Sequence, residues 1–470
     1  MRPFVLFPLF LLASSCVPQK QWRTKPVLSA PTAPANAEDA FYLAPDGSRN
    51  RLYSLAFVEF ANDGHLYNPQ QMEDALKAID EADRRSNHHA LVLTFIHGWK
   101  NNAGQTNNNV VDFRKQINRI ARDVCGADAS TCGVIGIYFG WNGDSVKREW
   151  DTLRQLSIFD RRAVARHVAK GGDITFSLLR VMARVKAGPD RTGNRSVVVG
   201  HSFGGLILGA ATAEKLKQVG DQLHDQAGKQ TNIDAFHLPA LNEIADLMVL
   251  INQAAPATEA VNLLADFRED LQKIHFLLPP RDRNCAPRDT RQDCKSLTRP
   301  LVLAVSSESD LATSFLLPVS ERISPSKLKL NDGIKLPKHL DVKTVSTTAA
   351  PHIPALRSHN LVECDGEDCS PCLKRDRYYI PIRIKKLPAF ARGNDSHKDK
   401  PMNYCLERDF TAWNQTPYWI FRLPTAIVPD HSEIFTDRFT DFLTAFLPPL
   451  ETIQKTEEPM RPSPKTGAGR

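Results

Sequence analysis

Short, continuous apolar runs recur along the chain and alternate with longer segments of mixed polarity. Uninterrupted runs rich in Val, Ile and Leu are typical of strands buried on both faces of a parallel sheet. The runs that predict such strands are residues 52–60, 90–96, 134–139, 196–199, 247–251, 301–305 and 418–423. Residues 68–85 carry apolar side chains at helical spacing. Strands alternating with helices predict an α/β fold with a mainly parallel central sheet and helices on both faces.

Two long segments do not fit this minimal pattern. Residues 215–243 form a polar excursion after the predicted helix 206–219, and residues 320–415 form a Pro- and Cys-rich insertion before the last core strand. The insertion is either a lid or cap that shapes access to a site or a surface elaboration stapled by disulfides. We expect one large domain over residues 46–450 and a disordered polar tail over residues 451–470.

Composition agrees with a large globular domain. Of the 470 residues, 42% are hydrophobic, which is enough to bury a sizeable core. The 60 basic and 53 acidic residues are interspersed, and the net charge is +7. Because no basic stripe is formed, nucleic-acid binding is not predicted.

The pattern Gly-His-Ser-Phe-Gly directly follows the predicted strand 196–199 and precedes a segment of small residues. This order of strand, G-x-S-x-G and helix is that of a nucleophile elbow, in which a serine stands exposed at the end of a sheet. The turn is so tight that its flanking residues must lack bulky side chains, as Gly200, Gly204 and Gly205 do. Ser202 is therefore the candidate nucleophile. The alternative is a glycine-rich turn that only packs well.

A nucleophilic serine needs a histidine that takes its proton and a carboxylate that orients the histidine. On this kind of sheet the partners are expected after later strands, in the order serine, acid, histidine. Asp310 follows the predicted strand 301–305 and is the candidate acid, with Glu308 in the same loop as the alternative. Asp310 is also positioned to be the N-cap of a helix over residues 311–316, and one carboxylate is able to do both.

The candidate base is His431, which follows the last predicted strand and precedes a terminal amphipathic helix. We expect the inner face of that helix to carry Ile434, Phe435, Phe439, Phe442 and Leu443. His352, His359 and His397 are rivals within the insertion, but no predicted strand precedes them, and each is predicted to be a surface or loop histidine. His201 is expected to support the elbow, because its side chain must leave the tight turn in another direction.

The oxyanion that forms when a serine attacks a carbonyl needs two preorganised backbone donors. One is expected from the N–H of Phe203, directly after the nucleophile, at the positive end of the elbow helix. The other is expected from the N–H of Trp99, in the loop after the strand 90–96, where Gly98 lets the main chain approach closely. A plain strand-terminating turn at His97 and Gly98 is the alternative.

Together these segments resemble the α/β-hydrolase superfamily, in particular bacterial serine hydrolases of the esterase and lipase kind. The segments begin at Phe95, Gly136, Val199, Ser307 and Asp430 and have the sequences FIHGWK, GIYFGW, VGHSFGG, SESD and DHSEIF. The resemblance implies an α/β-hydrolase fold and hydrolysis of carboxylic esters through an acyl-enzyme on the elbow serine, with no metal ion and no organic cofactor. The implied substrate is a small-molecule or lipid ester.

Other functions use the same scaffold. The same catalytic groups also transfer acyl groups to alcohols or cut amides and thioesters, and the sequence does not separate these reactions. From a different class, a non-catalytic envelope lipoprotein would keep the scaffold only for binding. A serine, an aspartate and a histidine in the right order favour the enzyme, because a binding scaffold has no physical need for all three.

The N-terminus predicts export. Residues 1–16 comprise a basic residue, an apolar run and the small residues Ala-Ser-Ser before Cys16. This end resembles the lipobox of bacterial lipoproteins, in which Cys16 would become lipidated, and the apolar run is too short for a permanent membrane span. The Pro- and Ala-rich residues 17–45 are expected to form a flexible tether. We therefore expect an exported lipoprotein that is anchored to a membrane of the cell envelope and faces the periplasm or the exterior.

The cysteines agree with export. If Cys16 carries lipid, eight of the nine cysteines remain, and an even number in an exported protein predicts disulfides. The short-loop pairs that the spacing favours are Cys125 with Cys132 and Cys285 with Cys294. The last four cysteines admit three pairings. A zinc site that includes the C-x-x-C of Cys369 and Cys372 is the alternative.

Overall fold

The strands form one large sheet and two small ones in the part of the chain that the structure describes. The structure is a computed structural model and describes residues 19–24, 41–43, 49–125, 132–144, 157–229, 243–275, 300–323, 328–337, 339–364, 382–383, 403–408 and 416–446. The strands are β1 (Phe41–Leu43), β2 (Arg49–Arg51), β3 (Tyr53–Glu59), β4 (Leu91–Ile96), β5 (Val134–Gly140), β6 (Arg195–His201), β7 (Leu247–Ile251), β8 (Val302–Ser307), β9 (His359–Cys364), β10 (Ile382–Arg383), β11 (Asn403–Arg408) and β12 (Tyr418–Leu423). The α-helices are α1 (Pro69–Arg85), α2 (Asn108–Cys125), α3 (Ile158–Lys170), α4 (Asp173–Val185), α5 (Phe203–Lys229), α6 (Thr258–His275), α7 (Leu317–Ile323), α8 (Val342–Thr347) and α9 (Asp437–Phe446).

Seven parallel strands form the central sheet in the order β12-β8-β7-β6-β4-β5-β3. The prediction of an α/β fold with a mainly parallel sheet is confirmed. Every residue of β3, β4, β5, β7 and β8 is buried, as expected for strands covered on both faces. Because β4 lies between β5 and β6, the strand order reverses beside it. In parallel sheets, ligands bind outside the carboxyl ends of the strands at such a switch point.

Helices cover both faces of this sheet. On one face, alternate strand residues such as Ala56 and Val58 belong to a core that includes α1 and α3 to α6. On the other face, Leu55 and Phe57 belong to a core that includes α2 and α9. Successive side chains of a strand point to opposite faces, and this explains why neighbouring residues of β3 belong to different cores.

Capping residues determine where α1 begins, whereas α5 extends further than the sequence predicts. Asn68 Oδ1 accepts the N–H of Gln70 at 2.9 Å and Pro69 occupies the first turn, so α1 begins where the sequence predicts. In contrast, α5 continues to Lys229 and includes the first part of residues 215–243, which were predicted to leave the helix. Lys, Gln, Leu and Ala are strong helix formers, and they continue the helix through a polar stretch.

The terminal helix begins later than predicted. Thr436 Oγ1 accepts the N–H of Phe439 at 3.0 Å, so Thr436 caps α9. Ile434 and Phe435 therefore precede the helix and are not part of its inner face. Ile434 is nonetheless buried in the same core as the apolar face of α9. The prediction that Ile434 packs with that face is correct, and the prediction that it belongs to the helix is wrong.

The chain between β8 and β12 leaves and rejoins the same edge of the sheet, since these two strands pair directly. It contains α7, α8 and the three-stranded antiparallel sheet β10-β11-β9. Ser358 joins this insertion to the core, because its N–H donates to Ile420 O at 2.8 Å and its Oγ accepts the Ile420 N–H at 2.7 Å. His359 was predicted to be a surface or loop histidine, but it is the buried first residue of β9. Its ring packs on Trp419 with 4.1 Å between centroids, which explains the burial.

Part of the predicted tether, residues 17–45, contacts the domain. The N–H groups of Trp22 and Arg23 donate to the carboxylate of Glu59 at 2.7 and 2.8 Å, and β1 pairs with β2. Glu59 is buried at the end of β3 and also accepts the side-chain amide of Gln71 at 3.0 Å. A buried carboxylate needs such donors, and this need explains why residues 19–24 are held there.

The structure joins Cys125 and Cys132 by a disulfide, with α carbons 5.3 Å apart, in agreement with the predicted pair. Several predicted features lie outside the described residues: the export signal with Cys16, Cys285, Cys294, Cys369, Cys372, His397 and residues 451–470. No helix within the described ranges combines the length and the apolar character that a membrane span requires.

Candidate active site

Ser202 occupies a one-residue turn between β6 and α5. Its φ is 56°, in the left-handed region that residues with a side chain rarely adopt. The Ser202 N–H donates to Ile251 O at 3.1 Å, and its carbonyl accepts the N–H of Ala254 and of Leu206, each at 3.1 Å. These backbone bonds hold the strained conformation, which is typical of residues with a functional constraint.

The elbow glycines are needed for close approach of the main chain. A Cβ at Gly204 would overlap the carbonyl oxygen of Ile96, and a Cβ at Gly200 would lie 2.7 Å from Gly204 O. A Cβ at Gly98 would lie 2.8 Å from the Cβ of Ser202. The tight turn predicted from the sequence is therefore present, and the loop after β4 lies directly beside the serine.

The structure brings the predicted serine, histidine and aspartate into one hydrogen-bonded series. Ser202 Oγ lies 2.9 Å from His431 Nε2, and His431 Nδ1 lies 2.9 Å from Asp310 Oδ1. Because an ionised carboxylate only accepts, His431 Nδ1 donates to it, which leaves Nε2 to accept the serine proton. Asp310 is fully buried, whereas the His431 side chain is 21% exposed and so borders solvent.

Asp310, not Glu308, faces the histidine. Burial alone would raise the pKa of Asp310, but hydrogen bonds from His431 and Thr313 outweigh it and lower that pKa below its ordinary value. The Thr313 N–H donates to Asp310 Oδ1 at 3.0 Å, so the same carboxylate also caps the following turn. The side chain of Glu308 is exposed, and its N–H donates to Leu423 O at 2.9 Å.

The loop that carries His431 is held through its own carbonyls. Asn252, at the end of β7, donates its side-chain amide to Asp430 O at 3.1 Å and to His431 O at 2.9 Å. Its Oδ1 accepts the Ser307 N–H at 2.8 Å, which ties β7 to β8. Ser307 Oγ in turn donates to Val428 O at 2.7 Å. No role for these two side chains was predicted from the sequence, because nothing local in the chain connects them with the loop.

The His201 side chain contacts the loop that carries the base. Its Nε2 donates to His431 O at 2.7 Å. Burial, and then the nearby His431, lower the pKa of His201 to about 3, so the ring is neutral. A neutral ring that donates from Nε2 leaves Nδ1 unprotonated, and a proton on that buried atom would find no acceptor among the described residues.

The two backbone N–H groups that the sequence predicts as oxyanion donors make no other hydrogen bond to a described residue that would occupy them. The N–H groups of Phe203 and Trp99 have no hydrogen-bond acceptor within the described part of the chain. His97 shapes the loop before Trp99: its Nε2 accepts the Trp141 N–H at 3.0 Å and its Nδ1 lies 2.9 Å from Gly98 O. Burial lowers the pKa of His97 to about 4, so the ring is neutral and its Nδ1 donates to that carbonyl.

Among the described residues, no group of three or more His, Cys, Asp or Glu side chains is arranged to hold a metal ion. The groups that the structure brings to this edge are a serine hydroxyl, an imidazole and a carboxylate in hydrogen-bonded series. Compared with protein-family models, with curated proteins and with solved structures, the chain finds no match in any of the three.

Proposed function

We propose that this chain is a serine hydrolase of the α/β-hydrolase kind that cleaves carboxylic esters through an acyl-enzyme on Ser202. The observation that carries the proposal is the hydrogen-bonded series of Ser202, His431 and Asp310, with 2.9 Å at each step. An elbow after the central strand β6, with the acid after β8 and the base after β12, supports the fold assignment.

The proposed reaction begins when His431 Nε2 takes the Ser202 proton while Oγ attacks the acyl carbonyl. Asp310 orients the imidazole and stabilises the imidazolium, and the N–H groups of Phe203 and Trp99 stabilise the oxyanion. His431 then gives the proton to the leaving alcohol oxygen, and the acyl group remains on Ser202. A water molecule that gives its proton to His431 attacks this ester, and the carboxylic acid leaves as Ser202 regains its proton.

Apolar side chains next to the acid favour esters with an apolar acyl group, including lipid esters. Leu311 and Phe315 follow Asp310 closely and are 73% and 65% exposed. Single exposed apolar residues are ordinary, but Leu316 and Val319 continue the same stretch at 46% and 37% exposure. A group of exposed apolar side chains is typical of a surface that binds apolar ligands.

The test is turnover of p-nitrophenyl esters with short and long acyl chains by the mature protein and by Ser202→Ala. We expect that variant to remain folded, as circular dichroism would show, and to lose about 10⁶-fold in kcat, the scale known for triad serines. Retained turnover in Ser202→Ala would refute the proposal. A long-chain ester hydrolysed no faster than a short one would refute the apolar preference alone.

Asp310 and Glu308 provide a matched pair in the same assay. Asp310→Asn should lower kcat by about 10⁴-fold, because an amide stabilises the wrong histidine tautomer. Glu308→Gln should leave kcat unchanged, since that side chain is exposed. A folded protein in which wild type and all variants are inactive would favour the non-catalytic binding scaffold instead.

We also propose that the chain is exported and attached to a cell-envelope membrane through lipid on Cys16. The support is the order of a basic residue, an apolar run and small residues before that cysteine. Mass spectrometry of the mature N-terminus tests it: a chain that begins at a lipid-modified Cys16 is expected, and an unprocessed N-terminus or an unmodified Cys16 would contradict it.

A further inference from the structure

The carboxylate of Asp310 has further partners besides the histidine. Its Oδ2 accepts a hydrogen bond from Thr313 Oγ1, and that hydroxyl oxygen lies 2.8 Å from His352 Nε2. Thr313 lies in a turn of π-helix at residues Ala312–Leu316, a conformation often found at functional sites. The hydrogen-bonded series that starts at Ser202 therefore continues beyond the acid, into the insertion.

Donor and acceptor chemistry fixes the direction of these bonds. The ionised carboxylate of Asp310 offers only acceptors, so the single hydroxyl proton of Thr313 goes to Oδ2. The Thr313 oxygen can then only accept from His352, which requires a proton on His352 Nε2. Each bond thus constrains the next: His352 orients the Thr313 hydroxyl, and that hydroxyl occupies the buried Oδ2 of Asp310.

His352 is fixed by the insertion itself. It ends the short 3₁₀ helix Ala350–His352, which packs against β8 and β12. Pro351 O accepts the side chain of Arg357 at 2.9 Å, and the Ala257 N–H donates to Thr348 O at 2.8 Å. This part of the insertion is therefore built into the core and cannot be only a peripheral elaboration.

The surroundings keep His352 neutral. Burial is the largest cause that lowers its pKa to about 4, and the positive charges of Arg422 and Arg357 act in the same direction, as does His431. Asp310 opposes them and raises that pKa. A neutral ring carries one ring proton, and the contact with Thr313 assigns it to Nε2.

We propose that Thr313 and His352 are positioning residues for the acid, and that the insertion thereby controls the geometry of the base. The proposal rests on the proposed function, since it concerns the same site. Thr313 pairs the oxygen of Asp310 that His431 does not use, and His352 acts only through Thr313. Removing the hydroxyl leaves a buried acceptor unpaired and makes the carboxylate more basic, which favours the protonated form of His431.

The first test compares Thr313→Val, which keeps the shape and removes the hydroxyl, with Thr313→Ser, which keeps the hydroxyl. We expect Thr313→Val to lose about 10- to 100-fold in kcat/KM, the range expected when one buried acceptor is left unpaired. The acid limb of its pH profile should move to higher pH, and Thr313→Ser should restore both. Lost activity with an unmoved acid limb would indicate a merely structural role and overturn the proposal.

The second test asks whether His352 acts through Thr313. His352→Phe removes the donor but keeps an aromatic ring, whereas an amide in His352→Gln is able to donate. We expect His352→Phe to lower kcat/KM by up to about tenfold and His352→Gln to recover that loss. In the Thr313→Val background, His352→Phe should cause no further loss. Independent, additive losses would overturn the linkage.

A readout without turnover separates this inference from the proposed function. The pH midpoint of the His431 ring signal in the NMR spectrum, assigned with His431→Gln, is measured in wild type and in Thr313→Val. An upward shift supports the inference even if no ester is hydrolysed, in which case only the proposed function fails. An unmoved midpoint in a folded variant contradicts the inference, whatever the activity.

Discussion

The two sides of the candidate site are held by different means. On the nucleophile side, Ser202 is fixed by backbone bonds and by glycines that allow main chains to touch. On the acid and base side, Asp310 and His431 are fixed by side chains that hydrogen-bond across long stretches of sequence, such as Asn252 to a carbonyl 179 residues away. The geometry of the nucleophile side thus depends on glycines, which have no side chain. The geometry of the acid and base side depends on particular side-chain hydrogen-bond donors.

This difference separates two kinds of substitution effect. A Cβ added on the nucleophile side meets backbone that cannot move, so the cost is steric and large. A donor removed on the base side leaves a carbonyl or carboxylate unpaired, which costs about 1–3 kcal/mol and loosens the histidine. We therefore expect a substitution on the nucleophile side to impair folding first. A substitution on the acid and base side should first disturb the positions of Asp310 and His431.

The largest effect is expected from Gly204→Ala. The new methyl group would overlap Ile96 O, and we expect the free energy of unfolding to fall by at least ~4 kcal/mol or folding to fail. Gly209→Ala, in the same helix, is the matched control, because a Cβ there meets chiefly the flexible end of Gln253. It should change stability by no more than about 1 kcal/mol. Urea unfolding measures both, and equal effects would contradict the steric account.

The same difference between the nucleophile side and the acid and base side explains how much of each side the sequence predicts. The elbow was predictable because its glycines lie within a few residues of Ser202, and the apolar runs located the seven core strands to within a few residues. Asp310 and His431 were predictable from their positions after later strands. The contacts of Asn252 with the His431 loop could not be predicted, because no local pattern distinguishes that residue from any other asparagine that follows a strand.

A smaller effect is expected from Asn252→Asp, on the base side. Aspartate tolerates the left-handed φ of 48° and can still accept the Ser307 N–H, but it turns an acceptor toward Asp430 O and His431 O. We expect a loss of about 1–3 kcal/mol in unfolding free energy and a lower kcat. Asn87→Asp, with the same φ on the exposed surface, is the control and should shift stability by less than about 0.5 kcal/mol. Unchanged stability in Asn252→Asp would show that this residue does not hold the loop.

The third effect is gradual and concerns the pH dependence of stability. The pKa of His201 is lowered to about 3, whereas an unfolded histidine titrates near 6.5, so below about pH 6.5 the unfolded state binds one more proton than the folded state. Stability is therefore fully present above that pH and falls as pH drops, by about 1.4 kcal/mol per pH unit for this one group. His201→Gln should lower the slope of unfolding free energy against pH by that amount between about pH 6 and 4. An unchanged slope would show that His201 is not held neutral.

Tertiary context decides the surroundings of His352 and His359, and for His359 it overturns the prediction of a surface or loop residue. His352 was predicted to be a surface or loop residue, because no strand precedes it, yet it contacts Thr313 across 39 residues of sequence. His359 is buried by the ring of Trp419. Both histidines lie in the insertion, where no apolar periodicity predicts the fold. The contacts with Thr313 and Trp419 therefore could not be predicted from the local sequence pattern.

The central claim is that Ser202 is a nucleophile activated by His431. The most direct measurement is the rate of fluorophosphonate labelling of the mature protein and of His431→Gln, with the adduct located by peptide mass spectrometry. We predict a single adduct on Ser202 in the wild type and labelling slower by about 10²- to 10⁴-fold in the variant, the range of a general base. A folded wild type that is not labelled, an adduct on another residue, or equal rates in the two proteins would contradict the account.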